Sequence, residues 1–307
     1  MSQAKLSDNK TVQILSNAEK GGYGVAAAIA YVSTTTSLKE AFRPDMSRYN
    51  IEQIIAYVKA AEAVRSPLII QVFPWAITFS NGLLVETAAL AARKASVPIS
   101  IHLDHCQNED MVRHAADKLP FDSIMVDMSH HEKAENLAKT KELVAYCHER
   151  GIATEAEPGR IEGGEDGIAD TADLSGMLTT PEEVEEFIDT GVDFLAPAFG
   201  NVHGEYGARG PVLEYERLDC IYAYCKKRNV RVVLHGTNGF SEHVMGKCIQ
   251  GGVSKINTNK LLLDNYNEYL KQAAPSKPIT KLMEEGVDKV VELTQQWMHA
   301  IGSAGKA

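Results

Sequence analysis

Three histidines stand where chemistry can collect: His105 in His102-Leu103-Asp104-His105, His203 in Gly200-Asn201-Val202-His203-Gly204, and His235 in Leu234-His235-Gly236. Each segment closes or follows a short apolar run, so the imidazoles would project from separate strand ends. Neutral imidazoles from separate strands, with a fourth position left open, are how a catalytic zinc site is built. One histidine at such a place is more often an ordinary rim residue bonded to a neighbour. Three at matching places favour the metal. Gly204 and Gly236 beside two of them would let a ligand approach the backbone closely.

Carboxylates accompany the histidines. Asp104 adjoins His105, Asp127 ends the run Ser123–Asp127, and Glu155 and Glu157 end the next run. Glu162, Glu165 and Asp166 follow on a Gly-rich stretch. Breaking a carbon–carbon bond beside a metal-held ketone needs a base for the neighbouring hydroxyl and a proton carrier for the resulting enolate. Asp104 suits the first task, and Glu165 or a neighbouring loop carboxylate the second. Glu155 reads as an orienting partner for a histidine. Asp127 and Glu157 read equally as orienting partners or as ligands of a metal in an alternate position. Cys106 beside His105 reads as small-residue packing at a strand end.

These residues need a frame that brings distant strand ends together. Eight short apolar or β-branched runs recur: Val25–Tyr31, Leu68–Phe73, Ile99–Leu103, Ser123–Asp127, Ile152–Glu155, Phe194–Phe199, Val230–Leu234 and Val253–Asn257. Between them lie helical patterns at Ile51–Val64, Leu83–Lys94, Glu109–Lys118, Glu132–Glu149, Pro181–Asp189, Tyr215–Lys227 and Ser241–Gln250. Strand and helix alternating eight times predict an α/β fold, a single-domain (β/α)8 TIM barrel over residues 1–307, whose active site forms at the C-terminal strand ends. Thr180-Pro181-Glu182-Glu183 carries a cap residue, a proline at the first helical position and acids in the first turn. Gly159–Thr179, polar and without apolar period, reads as a mobile loop. From Leu261 onward a helical extension is expected, broken at Pro275 and Pro278.

Bulk properties narrow the partners. The chain has 307 residues, 44% hydrophobic and 23% charged, enough for a core without staples. Lys plus Arg number 31 against 41 acids, a net charge of −10, which disfavours nucleic acid and anionic lipid. No apolar stretch approaches the roughly 18 residues of a membrane span, and the first residues carry no signal-peptide pattern. Five scattered cysteines form no pair motif. That usage fits a reducing compartment, so a cytoplasmic location is expected.

Taken together, these motifs resemble the class II, metal-dependent ketose-bisphosphate aldolases, over about Val25 to Asn257. His102-Leu103-Asp104-His105 is similar to the signature whose Asp is the catalytic acid/base and whose second His binds zinc. Asp127 and Glu157 resemble acids of the alternate metal position. Glu165, in Gly163-Gly164-Glu165-Asp166-Gly167, resembles the loop acid. Asn201-Val202-His203-Gly204 and Leu234-His235-Gly236 resemble the remaining zinc segments, and Asn257 in Lys255-Ile256-Asn257 the contact to dihydroxyacetone phosphate. The resemblance implies Zn2+, with a monovalent cation as a further candidate cofactor, a sugar phosphate substrate, and a homodimer or homotetramer. It implies aldol cleavage, with fructose 1,6-bisphosphate as the leading substrate and a tagatose-type or other ketose phosphate as alternatives. Gly204 and Gly236 fall among its substrate-binding positions.

The departures concern the substrate. Asn238 stands where the family has a phosphate-holding Ser, and Asn259 and Lys260 stand where it has Asp and Thr. A Lys expected near Gly207 is absent, with Arg209 close by, and Phe73 and Trp75 occupy a strand end that is usually small and polar. Lys260 and Arg209 could grip phosphate by another geometry, or be solvated charges. Two rival readings fit the sequence less well. A metal-dependent hydrolase would want a His pair on the first strand, which Val25-Ala26-Ala27-Ala28-Ile29 lacks. A non-catalytic sugar-phosphate-binding barrel would have no use for both Asp104 and Glu165.

Overall fold

A computed structural model describes residues 6–30, 50–161, 178–204, 206 and 210–307. Eight parallel strands close into a barrel in sequence order. They are β1 (Val25–Ile29), β2 (Leu68–Val72), β3 (Ile99–Cys106), β4 (Ser123–Val126), β5 (Ala153–Ala156), β6 (Phe194–Leu195), β7 (Arg231–Leu234) and β8 (Val253–Thr258). The ring closes where β1 pairs with β8, Ala27 opposite Asn257. The expected (β/α)8 barrel is thus the observed one. Several strand ends fall a few residues from the expected ones, and β6 is shorter by four, since Ala196–Phe199 leaves the ladder.

In chain order the helices are α1 (Lys10–Gly21), α2 (Ile51–Ala63), α3 (Pro74–Ser80), α4 (Leu83–Lys94), α5 (Glu109–Lys118) and α6 (Lys133–Glu149). They continue with α7 (Pro181–Ile188), α8 (Tyr215–Lys227), α9 (Glu242–Gln250), α10 (Lys260–Ala273) and α11 (Ile279–Ala300). The signals at α7 act as read: Thr180 and Glu183 form a reciprocal capping box with Pro181 at the first turn. Pro275 and Pro278 separate α10 from α11, because neither ring can continue a helix. Two helices, α1 and α3, have no counterpart in the expectation.

The barrel interior is layered because side chains alternate along each strand. At the floor, Val25, Ala27, Ile69, Ala153, Phe194 and Val233 cluster with Ile14, Leu15 and Ala18 of α1. That helix closes the N-terminal end. Asn9 caps α1 through the backbone N–H of Val12, and its amide reaches the carbonyls of Asp122 and Gly151. Two residues further up the same strand faces the interior turns polar, with Gln71, His102, Glu155 and Lys255, all fully buried. Two residues further again come Asp104, Glu157 and Asn257 at the mouth. The opposite strand faces pack with the surrounding helices into the main apolar core.

Candidate metal centre and active site

Regular alternation would send Asp104 and His105 to opposite faces of β3. Both reach the mouth because the strand is irregular there. Its register against β4 shifts between Leu103 and Cys106, and His105 has a left-handed φ of 43°. A non-glycine residue in that conformation costs about 1–2 kcal/mol, which the surrounding contacts must offset. A second shift, between Val232 and Val233, accommodates one extra residue on β8 ahead of Lys255.

The three imidazoles meet at the C-terminal mouth. Ring centroids lie 5.0 Å apart for His105 and His203, 4.7 Å for His105 and His235, and 5.7 Å for His203 and His235. One ligand atom from each lies within 4.8 Å of the others. His105 Nε2, His203 Nε2 and His235 Nδ1 are buried without a hydrogen-bond partner. An unpaired buried polar atom costs about 1–3 kcal/mol, so three converging on one point describe a place for a cation. The remaining nitrogens of two rings are held: His105 Nδ1 lies 2.8 Å from Asp127 Oδ2, and His235 Nε2 lies 2.9 Å from Glu155 Oε1. Protons on these nitrogens leave the lone pairs of His105 Nε2 and His235 Nδ1 aimed at the centre, the arrangement carboxylate partners impose on ligating histidines.

Charge around the centre points the same way. Burial would push Asp127 up, but bonds from His105 and from the Ser129 backbone and hydroxyl hold it below the usual carboxylate range. Asp104 is likewise held well below it, the charges of His105 and Lys255 and the His102 contact outweighing burial. Glu155 is held at about 2, chiefly by the Lys255 ammonium, which sits 2.8 Å away. Glu157 moves the other way, raised to about 8 by burial and the Asp127 charge. Three ionised buried carboxylates therefore face one buried ammonium, an imbalance that a divalent cation matches. Without a metal, a proton on His105 meets part of it. Burial alone would lower that imidazole, but Asp104, Asp127 and Glu157 raise it to about 10. His203 stays neutral, lowered by burial and by the charges of His105 and His235.

Asp104, entirely buried, accepts from Gln71 Nε2 at 2.9 Å and from Asn257 Nδ2 at 3.1 Å. Its oxygens lie 3.7 Å from His102 Nε2 and 4.0 Å from Lys255 Nζ. Asn257 also approaches His235 Nε2 at 3.2 Å, linking the base to the metal centre. Glu157 accepts from the Ile161 backbone through Oε1, while its Oε2 is buried and unpartnered. It groups with His105 and Asp127 as a second set able to hold an ion. The bond Asp127 already makes to His105 favours its orienting role.

The loops after β6 and β7 are tied together. Tyr206 donates its hydroxyl to the Gly236 carbonyl at 2.6 Å and accepts from the Val202 backbone. Asn238 Nδ2 donates to the Gly204 carbonyl at 3.3 Å. Gly204 has φ +91° and open space where a Cβ would stand, whereas a Cβ on Gly236 would meet the Val202 carbonyl at 2.2 Å. The lack of a side chain at Gly236 thus serves backbone packing. Asn259 and Lys260 begin α10 directly after β8, which sets both at the same rim. Glu165 and Arg209 lie outside the described residues, as do Glu162, Asp166 and Gly207. Cys106 packs in the main core, its thiol pushed up to about 12 by burial.

Gln71, His102 and Lys255 carry roles the sequence reading left unassigned. The signal was present in part. Gln71 interrupts Leu-Ile-Ile-Gln-Val and Lys255 interrupts Val-Ser-Lys-Ile-Asn. A charged or amide side chain inside an apolar strand is seldom buried without a partner.

The family described as fructose-bisphosphate aldolase class-II matches residues 9–306 of this chain. A protein of Coccidioides immitis (strain RS), provisionally named a fructose-bisphosphate aldolase, is 53% identical over 271 residues, covering 86% of this chain and 89% of the relative. A crystal structure of a provisionally named fructose-1,6-bisphosphate aldolase from Coccidioides immitis superposes with a TM-score of 0.89 at 49% identity, over 98% of each chain. The YdjI aldolase from Escherichia coli K12 superposes with a TM-score of 0.79 at 27% identity, over 97% of this chain and 98% of that one. Matched along nearly its whole length, and built on the closed barrel that the strand pattern predicts, this chain belongs to the class II fructose-bisphosphate aldolase family of carbon–carbon lyases.

Proposed function

We propose that this chain catalyses the reversible aldol cleavage of a ketose phosphate, with fructose 1,6-bisphosphate yielding dihydroxyacetone phosphate and glyceraldehyde 3-phosphate as the first substrate to test. The observation that carries the reading is the convergence of three buried, unpartnered imidazole nitrogens beside a charge imbalance suited to a divalent ion. His105, His203 and His235 would hold Zn2+, with Asp127 and Glu157 available as ligands in an alternate position. When bound there, Zn2+ supplies Lewis-acid polarisation of the substrate ketone.

The chain's own residues would do the rest. Asp104, kept ionised and fixed by Gln71 and Asn257, takes the proton of the C4 hydroxyl as the C3–C4 bond breaks. Glu165 returns a proton to C3, a role that rests on the family resemblance. Asn257 orients the dihydroxyacetone phosphate half. Gly204, Gly236, Asn238, Asn259 and Lys260 bind its phosphate in this reading, and Arg209 joins them on its place in the sequence alone. Glu155 and Lys255 act behind His235, one orienting it and the other balancing the carboxylate.

A monovalent cation beside the phosphate, a homodimer or homotetramer, and a cytoplasmic location belong to the same reading. So does the chain's being one domain with α10 and α11 as its extension. No helix among the described residues is long and apolar enough to cross a membrane. The test mixes zinc-loaded protein with fructose 1,6-bisphosphate and follows glyceraldehyde 3-phosphate release. Turnover that stops with a chelator and returns with Zn2+ supports the proposal. No cleavage of any ketose phosphate in a panel, by protein carrying zinc, would sink it.

A further inference from the structure

Hydroxyl groups interrupt the apolar floor. Thr11, in the first turn of α1, and Ser123, which opens β4, are both fully buried. Ser123 is level with the floor residue Ala153, its register partner on β5, and with His102, its partner on β3. Its Oγ lies 3.0 Å from Thr11 Oγ1 and 2.8 Å from His102 Nδ1. The other ring nitrogen, His102 Nε2, faces the polar layer, 3.5 Å from Glu155 Oε2 and 3.7 Å from Asp104 Oδ1. A buried line of neutral groups thus runs from the floor helix to the base. α1 enters it only through Thr11, since Ile14, Leu15 and Ala18 belong to the apolar cluster.

The protons on this line have two possible orders, and both ends choose the same one. In the first, Thr11 donates to Ser123, Ser123 donates to Nδ1, and the ring carries its proton on Nε2, towards the carboxylates. In the second, Nδ1–H donates to Ser123, Ser123 donates to Thr11, and an Nε2 lone pair faces two anions. The second order leaves the Thr11 hydrogen without an acceptor among the described residues, and a buried donor left unpaired is costly. Lys255 does not relieve the lone pair. Its ammonium goes to Glu155 Oε2 at 2.8 Å and makes no hydrogen bond to the ring. Burial and the Lys255 charge outweigh the carboxylates and keep the imidazole neutral, so one nitrogen alone carries a proton.

Resting on the aldolase reading above, we infer that Ser123 is a positioning residue for the catalytic base: its hydroxyl holds the His102 proton on Nε2, and that N–H steadies the ionised Asp104. It acts beside the bonds that Asp104 accepts from Gln71 and Asn257. Fixing a ring's tautomer through the nitrogen that does not face the working group is how outer partners commonly act on histidine.

The test uses zinc-loaded full-length protein. In protein labelled with the heavy nitrogen isotope, the ring resonances of His102, assigned through their loss in His102→Gln, report which nitrogen carries the proton. We expect Nε2–H. Kinetics then separate positioning from a general disturbance of the site. Exchange of a C3 hydrogen of dihydroxyacetone phosphate with D2O needs the metal and the loop acid but not Asp104, whereas cleavage needs Asp104 as well. Cleavage is followed with fructose 1,6-bisphosphate, or with the ketose phosphate that the panel above finds cleaved. Ser123→Ala should lower kcat for cleavage by about tenfold, with zinc content and exchange unchanged. A proton on Nδ1, no loss of kcat in Ser123→Ala, or equal losses in cleavage and exchange overturns the inference alone. Absence of exchange in the unsubstituted protein overturns the aldolase reading and the inference with it.

Discussion

The two ends of the barrel interior are built from the same strands and could hardly differ more in chemistry. At the floor, Val25, Ala27, Ile69, Ala153, Phe194 and Val233 pack against α1 with nothing ionised among them. Above it, on or just past β3, β5, β7 and β8 and on the loop after β6, stand Asp104, Glu155, Glu157, Lys255 and three imidazoles, almost all buried. Floor and mouth are equally shielded from water, yet one is held by apolar contact and the other by paired charge. The floor stabilises the barrel. The mouth gathers the groups proposed to hold a cation.

Substitutions at each end should separate these roles. His235→Ala should have the largest effect, abolishing zinc binding and turnover together, as read by metal content after dialysis and by cleavage rate. Retained zinc and rate would detach the metal from this trio. Asp104→Ala should keep zinc but lose roughly 10²–10⁴ in kcat; a variant as fast as the unsubstituted protein would remove Asp104 from its assigned task. Leu15→Ala at the floor should destabilise by about 2–5 kcal/mol through the cavity it leaves, measured by denaturant unfolding, while kcat per folded molecule stays unchanged. A fall in that kcat would mean the two ends are coupled. Glu155→Gln should weaken zinc affinity by about 10–100-fold by loosening the hold on His235, visible in a competition titration against a chelator.

The smallest effect is in pH dependence. In metal-free protein Glu157 has a pKa raised to about 8. A raised carboxylate favours the folded state only while protonated. That contribution is complete below the unfolded value of about 4.3 and is lost as pH rises through about 8. The melting temperature of metal-free protein should therefore carry a downward slope across that window, which Glu157→Gln removes. An identical slope in the variant would assign it to another group.

Much of the architecture was legible because apolar runs and helical patterns alternate at regular spacing. α4, α5 and α8 begin and end where their patterns do, and Asn108 caps α5. α1 was missed because its apolar residues Ile14, Leu15 and Ala18 precede any strand and declare no partner until the barrel exists. α3 has no counterpart because the expected run ends at Phe73, and Phe73 and Trp75 suit a strand end as well as a helix start. Within the site, the three histidines were legible as residue types at strand ends. The service of Gln71, Lys255 and His102 was not, because each is buried against a carboxylate from another strand, Gln71 against Asp104 and the other two against Glu155.

Residue type and order narrow the class of chemistry here. Three imidazoles and their carboxylates after separate apolar runs favour a metal and a base, because three such groups at matching places are harder to read as ordinary rim residues than one. Tertiary structure alone decides which atom does what. The shift in β3 turns neighbouring Asp104 and His105 to one side. The pairing across the barrel leaves His235 Nδ1 facing the centre, since Glu155 has taken Nε2. Closure of the barrel brings together residues 80 positions apart on strands that do not pair directly, and no local pattern can encode a contact of that range.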